Sequence, residues 1–214
     1  MKIALFAATG RIGSKILMEA LNRRHKITAI VRRPEKLTLL HPNLTVVQGD
    51  VLDENVVANL VKGHDVVVSA YGLGSSSPAD FSLFSKAAQS LINGTKKAGV
   101  KRLINVGGAG SLYVAPGKQL VDMQGFPESL KEAASAQRDS LEVFRKEKEL
   151  NWTFFSPAII VENGDRTGKF RIGKDEPIFD SKGESRISIE DYAVALVDEI
   201  ENPHFIRQRF TVGY

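Results

Sequence analysis

Along this chain, short unbroken apolar runs alternate with stretches whose apolar residues recur every three or four positions. Ile3 to Ala7 is apolar throughout and ends at a glycine-containing turn, the pattern of a strand buried on both faces. Ile12, Ile16, Leu17 and Leu21 follow at helical spacing. Ile27 to Val31 reads as a second strand, stopped at Arg32-Arg33-Pro34 by the proline. Leu44 to Val47 and Val66 to Val68 predict further strands, with a short helix over Val56 to Val61 between them. A helix from Phe81 to Ala98, closed by Gly99 as its C-terminal cap, leads to a strand at Leu103 to Val106. A long helix from Leu130 to Lys148 leads in the same way to a strand at Trp152 to Phe155.

After Pro157 the pattern changes. Gly164, Gly168, Gly173 and Gly183 punctuate short apolar pieces such as Lys169 to Ile172 and Pro177 to Phe179, which predicts a small substrate-side lobe of hairpins over residues 158–188. A helix from Ile189 to Ile200 follows, with Glu190 and Asp191 near its start where negative charge suits the helix dipole, and then a last strand at Arg209 to Val212. Such alternation predicts an α/β fold: a doubly wound, mostly parallel sheet with helices on both faces. The 214 residues hold no linker, repeat or low-complexity tract, so a single domain over 1–214 is expected.

Composition changes this picture little. Hydrophobic residues at 43% and charged residues at 25% are ordinary for a globular protein. The net charge of +4 is spread along the chain, and a phosphate-bearing dinucleotide accounts for it as well as nucleic acid does, so no nucleic-acid partner is expected. The absence of cysteine excludes disulfides, thiolate metal sites and cysteine nucleophiles. The first apolar run is too short for a signal peptide and no segment has the length of a membrane helix; the expectation is a cytoplasmic protein with no membrane partner.

Candidate chemistry concentrates at the carboxyl ends of the strands, where open α/β sheets bind ligands. The first turn reads Ala7-Ala8-Thr9-Gly10-Arg11-Ile12-Gly13, an AxxGxxG form of the dinucleotide-binding loop. Gly10 lets the backbone approach a pyrophosphate, Gly13 lets helix and strand pack closely, and the helix N-terminus offers free N–H groups. Ala8, Thr9, Gly10, Arg11, Ile12 and Gly13 are therefore cofactor-binding candidates. The first glycine of the usual pattern is replaced by Ala7, which is expected to keep a negative φ. At the end of the second strand, where an enzyme using NAD places a carboxylate, stand Arg32 and Arg33. A guanidinium pairs with a 2′-phosphate, so NADP(H) is the expected cofactor and NAD(H) the alternative, with Lys36 as a third positive charge. The competing reading is two exposed arginines opening a turn. Asp50 and Val51 are expected near the adenine, Ala70, Tyr71 and Gly72 along the phosphates and ribose, and Gly107 and Gly108 near the nicotinamide, beside Pro157. Leu112, Tyr113, Met123, Phe154 and Phe155 form a candidate apolar wall. Adjacent residues of a strand face opposite sides, so one of Phe154 and Phe155 is ordinary core; Leu112, Tyr113 and Phe155 are the substrate candidates.

On these residues, together with Val31 to Leu37, Asn105 to Ser111, Trp152 to Pro157 and Arg186 to Ala193, the chain resembles the atypical short-chain dehydrogenase/reductases. Within them it is similar, over nearly its whole length, to bacterial proteins proposed as NADH-flavin reductases and related to biliverdin-IXβ/flavin reductase. The resemblance implies a Rossmann-type fold, NADP(H), and FMN or another flavin as substrate rather than prosthetic group. It also implies that Arg186 to Ala193 belongs to a helix that packs the sheet rather than doing chemistry. The departures matter as much: the Tyr-x-x-x-Lys positions of the short-chain family fall at Ala134 and Arg138, and its serine at Ala109, with Ser111 the nearest hydroxyl. Alanine donates no proton and arginine is a poor proton relay. Arg138 coincides with a histidine lining the active site of the flavin reductase group, so Ser111 and Arg138 are the candidates near the reacting centre, Arg138 being otherwise a helix-surface residue.

His25, His41, His64 and His204 are scattered without metal-ligand spacing, and no metal is expected. Ser75-Ser76-Ser77 lacks the Gly-x-Ser-x-Gly elbow of a hydrolase and reads as a mobile segment beside the cofactor groove. Two functions fit: a reductase passing hydride from NADPH to a flavin, linear tetrapyrrole or quinone without a Tyr–Lys pair, or a non-catalytic NADP(H) redox sensor.

Overall fold

The runs read as buried strands come together in one eight-stranded sheet. The computed structural model describes residues 1–73 and 80–214, and the Ser75-Ser76-Ser77 run lies outside the described residues. The elements are β1 (Lys2–Phe6), α1 (Arg11–Asn22), β2 (Lys26–Val31), β3 (Leu44–Gln48), α2 (Glu54–Val61), β4 (Val66–Ser69), α3 (Leu83–Lys97), β5 (Arg102–Val106), β6 (Tyr113–Ala115), β7 (Lys118–Gln119), α4 (Glu128–Lys146), β8 (Asn151–Ser156), β9 (Ile160–Glu162), β10 (Arg171–Gly173), β11 (Arg186–Ser188), α5 (Ile189–Glu201) and β12 (Gln208–Gly213). The sheet runs β10-β12-β8-β5-β4-β1-β2-β3, parallel throughout except for β10 against β12. From β1 the chain winds outward to β3 and then returns to lay β4 on the other side of β1. That reversal opens a crevice at the carboxyl ends of β1 and β4.

Helices cover both faces because the strands are apolar on both. Ile16, Leu17 and Ala20 of α1 and Ala193, Leu196 and Val197 of α5 bury one face. Val57 of α2, Leu91 of α3 and Leu141 and Phe144 of α4 bury the other. Strand alternation sorts the two phenylalanines of β8 as expected. Phe154 meets Phe144 on the α4 side, with ring centroids 5.6 Å apart, while Phe155 stacks at 4.0 Å on Tyr192 and on Phe210 on the α5 side. The Arg186 to Ala193 segment enters α5, whose buried face packs the sheet, as the resemblance implied.

The 158–188 segment departs from the sequence reading. It forms no hairpins of its own: β9 pairs in parallel with β11, and β10 is captured by the edge of the main sheet. The reason is side-chain anchoring. Asp191, wholly buried in the first turn of α5, accepts bonds from Thr167 Oγ1 at 2.6 Å, Gly168 N at 2.8 Å and Tyr214 Oη at 2.9 Å, so the segment is pulled onto the sheet. The short antiparallel pair β6–β7 was not legible in the sequence.

Candidate functional site

The turn between β1 and α1 is held by its own backbone. Ala7 N–H donates to the Ile30 carbonyl at 3.1 Å, and the Ala7 carbonyl accepts from Gly10 N at 3.0 Å. To make both bonds Ala7 adopts φ +59°, which corrects the expectation of a negative φ: this is the left-handed geometry that a glycine would take at no steric cost. A Cβ on Gly13 would lie 2.2 Å from the Ala7 carbonyl oxygen, so the helix approaches the turn too closely for any side chain there. Gly10 caps α1 without a side-chain bond, and no acidic residue stands in the first turn. The first N–H groups and the positive end of the helix dipole are thus left facing the crevice.

A cavity of about 310 Å³ continues from this turn. Thr9 and Gly10 form one end; Arg32, Arg33 and Lys36 form the rim at the end of β2; Asp50, Val51, Tyr71 and Gly72 close the far side, with Leu73, which the sequence reading missed. Arg32, Arg33 and Lys36 are exposed, and none is engaged in an ion pair among the described residues. Asp50 is committed locally, its carboxylate accepting from Leu52 N at 3.0 Å. The Tyr71 ring packs edge-on against Phe84 at 6.0 Å, and its burial pushes the phenol above its usual value, the Arg32 charge opposing, so it stays neutral. Ala8 is fully buried beneath the turn, and Ile12 and Ala70 pack against the core. Arg11 turns away, donating to the Val161 carbonyl and tying the start of α1 to β9.

Beyond the end of β5 lies a second, apolar cavity of about 600 Å³. Between the two, a Cβ on Gly107 would enter the Phe154 ring at 1.9 Å and one on Gly108 would meet Gln137 Oε1 at 1.9 Å. The buried Phe154 ring thus requires a glycine at 107, whereas at 108 the Gln137 side chain can swing aside. Ala109 and Gly110 begin the cavity, Ala133, Ala134 and Gln137 of α4 form one wall, and Ile159, just past Pro157, stands opposite. Gly110 sits so close to Ala134 that a Cβ on it would lie 2.9 Å from the Ala134 Cβ. Ala134, where the resemblance would put a catalytic tyrosine, therefore lines this cavity with a methyl group.

The five substrate and reacting-centre candidates do not line this cavity. Phe155 is fully buried in the stack with Tyr192 and Phe210, on the face that the β-strand alternation assigns it. Leu112 is fully buried as well. Ser111 is buried and pinned: Arg209 Nη1 donates to its Oγ at 3.0 Å and to its carbonyl at 2.6 Å. Arg209, itself buried and paired with Asp175, holds the loop after β5, and its guanidinium lies 5.7 Å from the centre of the Tyr113 ring, so Tyr113 turns outward from the cavity. Arg138 points to the surface, bonded to Asp122 at 3.1 Å and Asp139 at 3.4 Å, because it lies one position past Gln137 on the helix. Met123 does line the cavity. Its other walls, Val114, Leu120, Phe126, Pro127, Leu130 and Phe179, were missed; the signal was an unassigned apolar stretch between β7 and α4.

A glycine-bearing turn under a helix N-terminus and a basic rim at the end of β2 together form a nucleotide cradle. Residues 7–203 match the NAD(P)H-binding family. The chain belongs to that family. Three solved structures resemble this member of the family over its whole length. A proposed exported protein from Burkholderia pseudomallei is 48% identical, with TM-score 0.90 and all of that chain covered. A proposed epimerase from Bacteroides thetaiotaomicron is 44% identical, with TM-score 0.92 and 96% covered. SP1627 from Streptococcus pneumoniae TIGR4, a proposed NADH-flavin reductase, is 35% identical, with TM-score 0.88 and 99% covered. The residues present fit the family's cofactor: Gly10 and Gly13 leave the space that side chains would fill, and the unpaired cations at the β2 rim suit a phosphate. No described helix is long and apolar enough to cross a membrane, and no cluster of three or more metal-ligating side chains occurs among the described residues.

Proposed function

We propose that this protein is a cytoplasmic NADPH-dependent reductase acting on a flat, conjugated acceptor of the flavin, tetrapyrrole or quinone kind. The observation that carries this reading is the apolar cavity beside Gly108 and Gly110, with Ala134 on its wall where a tyrosine acid would stand. Bound NADPH would supply the hydride. Arg32, Arg33 and Lys36 would hold its 2′-phosphate by charge-assisted bonds, and the first turn of α1 its pyrophosphate. The apolar walls would exclude water from the face of the acceptor. Among the described residues, no side chain lining the cavity is an acid or a base. That favours an acceptor whose ring takes hydride directly and is protonated from solvent, and it disfavours an epimerase, which must move a proton at carbon.

NADPH oxidation measured with lumiflavin, biliverdin and naphthoquinone tests the reading. Saturable turnover with at least one acceptor is expected. Tight NADPH binding by calorimetry with no turnover of any of them would overturn it in favour of the redox sensor.

A further inference from the structure

The acceptor cavity carries no charge. Among the described residues its lining includes no aspartate, glutamate, lysine, arginine or histidine, and Gln124 and Gln137 are its polar side chains. Of the two basic side chains of α4 that adjoin lining residues, Arg138 is engaged by Asp122 and Asp139 and Lys131 lies 3.7 Å from Glu128. Around the cavity Met123, Leu130, Ile159 and Phe179 remain 39–56% exposed, four of the nine large hydrophobic side chains that the described structure leaves in solvent. Apolar side chains gathered in this way around one concavity suit an apolar occupant.

Gln137 is the exception at the inner end of this surface. It is half-buried, its Oε1 rests against Gly108, and its carboxamide makes no hydrogen bond among the described residues. A carboxamide offers both a donor and an acceptor, and here both remain available beside Gly108, just past the end of β5.

Resting on the reductase reading, we propose that the cavity selects an uncharged, planar acceptor of the quinone class, whose carbonyl oxygen accepts a hydrogen bond from Gln137. Phosphorylated flavins and the dicarboxylate tetrapyrroles would have to place their anionic groups against an apolar wall with no cation to pair them, a desolvation cost that a neutral quinone avoids. The reaction balances as quinone plus NADPH plus a proton giving hydroquinone and NADP⁺. Hydride carries two electrons and one hydrogen to the ring system, and solvent supplies the second hydrogen. Gln137 thereby becomes a specificity-determining residue rather than a proton donor.

The test separates this inference from the reductase reading by measuring binding as well as turnover. Wild type loaded with NADP⁺ is titrated calorimetrically with naphthoquinone and naphthoquinone sulfonate, and with lumiflavin and FMN. The neutral member of each pair is expected to bind about ten-fold tighter or more, a difference worth roughly 1.4 kcal/mol. Gln137→Leu should weaken naphthoquinone about ten-fold while leaving NADPH affinity unchanged. Leu130→Lys, at the exposed rim, should shift preference toward the sulfonate. Equal or tighter binding of the sulfonate and FMN in wild type would overturn the inference and leave the reductase reading intact. Selective binding of the neutral compounds without NADPH oxidation would support the cavity's specificity and overturn the reductase reading. Failure of both neutral compounds to bind, with a dimer in sedimentation that Leu130→Lys weakens, would overturn it in favour of a second copy covering the face.

Discussion

Ala7 occupies a glycine conformation, φ +59°, because its N–H and carbonyl are both spoken for by Ile30 and Gly10. The cost of a Cβ in the left-handed region is about 1–2 kcal/mol, and the extra chain entropy of glycine offsets about 0.5–1 kcal/mol of any relief. Ala7→Gly is therefore expected to raise stability by up to about 1 kcal/mol or leave it unchanged, read from denaturant melts; a marked loss would show that the alanine methyl is needed. Gly13 has no such freedom. With its Cβ 2.2 Å from the Ala7 oxygen, Gly13→Ala must displace the turn, at a cost of about 1–3 kcal/mol in stability together with a loss of NADPH binding by calorimetry. Arg32 is exposed and unpaired among the described residues, so Arg32→Ala should cost little stability. It should weaken NADPH by about one to two decades, roughly 1.5–3 kcal/mol, with NADH almost unaffected. Equal affinity of wild type for the two cofactors would remove the assignment of the basic rim. The glycines and arginines were legible in the sequence because their chemistry is local. The φ of Ala7 was not, since it is set by Ile30, more than twenty residues away.

At the scale of elements, α4 forms a wall of the apolar cavity, and one residue of rotation separates its cavity face from its surface. Ala134 and Gln137 line the cavity, whereas Arg138 meets Asp122 and Asp139. Ala134→Tyr should not restore a catalytic acid. The ring would fill part of the cavity against Gly110, and the rate with any acceptor should fall in steady-state kinetics. Arg138→Ala should leave KM and kcat within about two-fold, as expected for an exposed ion pair worth less than about 1 kcal/mol; a large rise in KM for an anionic acceptor would contradict this geometry. The parallel strands of the main sheet and the five helices of the described residues were readable because parallel strands are apolar throughout and amphipathic helices repeat at 3.6 residues. The apolar wall was not readable in the same way. Leu112 and Phe155 look like wall residues in sequence, and only the anchoring of Ser111 by Arg209 and the stacking of Phe155 between Tyr192 and Phe210 turn them inward. The 158–188 segment was misread because its partners, Asp191 and β12, lie far along the chain.

Over the whole molecule, α1, α5 and the segment around Arg166 are joined by charge. The buried Glu19 carboxylate accepts two bonds at 2.7 Å from Arg166 and one at 2.7 Å from Arg23, and Arg23 reaches on to Asp198 at 2.6 Å and Glu201 at 2.8 Å. The Arg166 bonds, aided by Arg23 and opposed by burial, hold Glu19 below the usual carboxylate range. A depressed folded-state value means that Glu19 stabilises the fold above the ordinary glutamate pKa and loses that contribution as pH falls through the folded value. Between neutral pH and about pH 3, wild type should therefore lose more thermal stability than Glu19→Gln, and parallel melting curves would contradict the linkage. The proposed reductase further requires that the nucleotide groove and the apolar cavity serve one reaction. Anaerobic rapid mixing of NADPH-saturated protein with excess naphthoquinone tests it most directly. A single-turnover loss of NADPH absorbance that saturates with naphthoquinone and slows in Ala134→Tyr is expected; an unchanged NADPH signal, with both compounds bound by calorimetry, would contradict a shared reductive site.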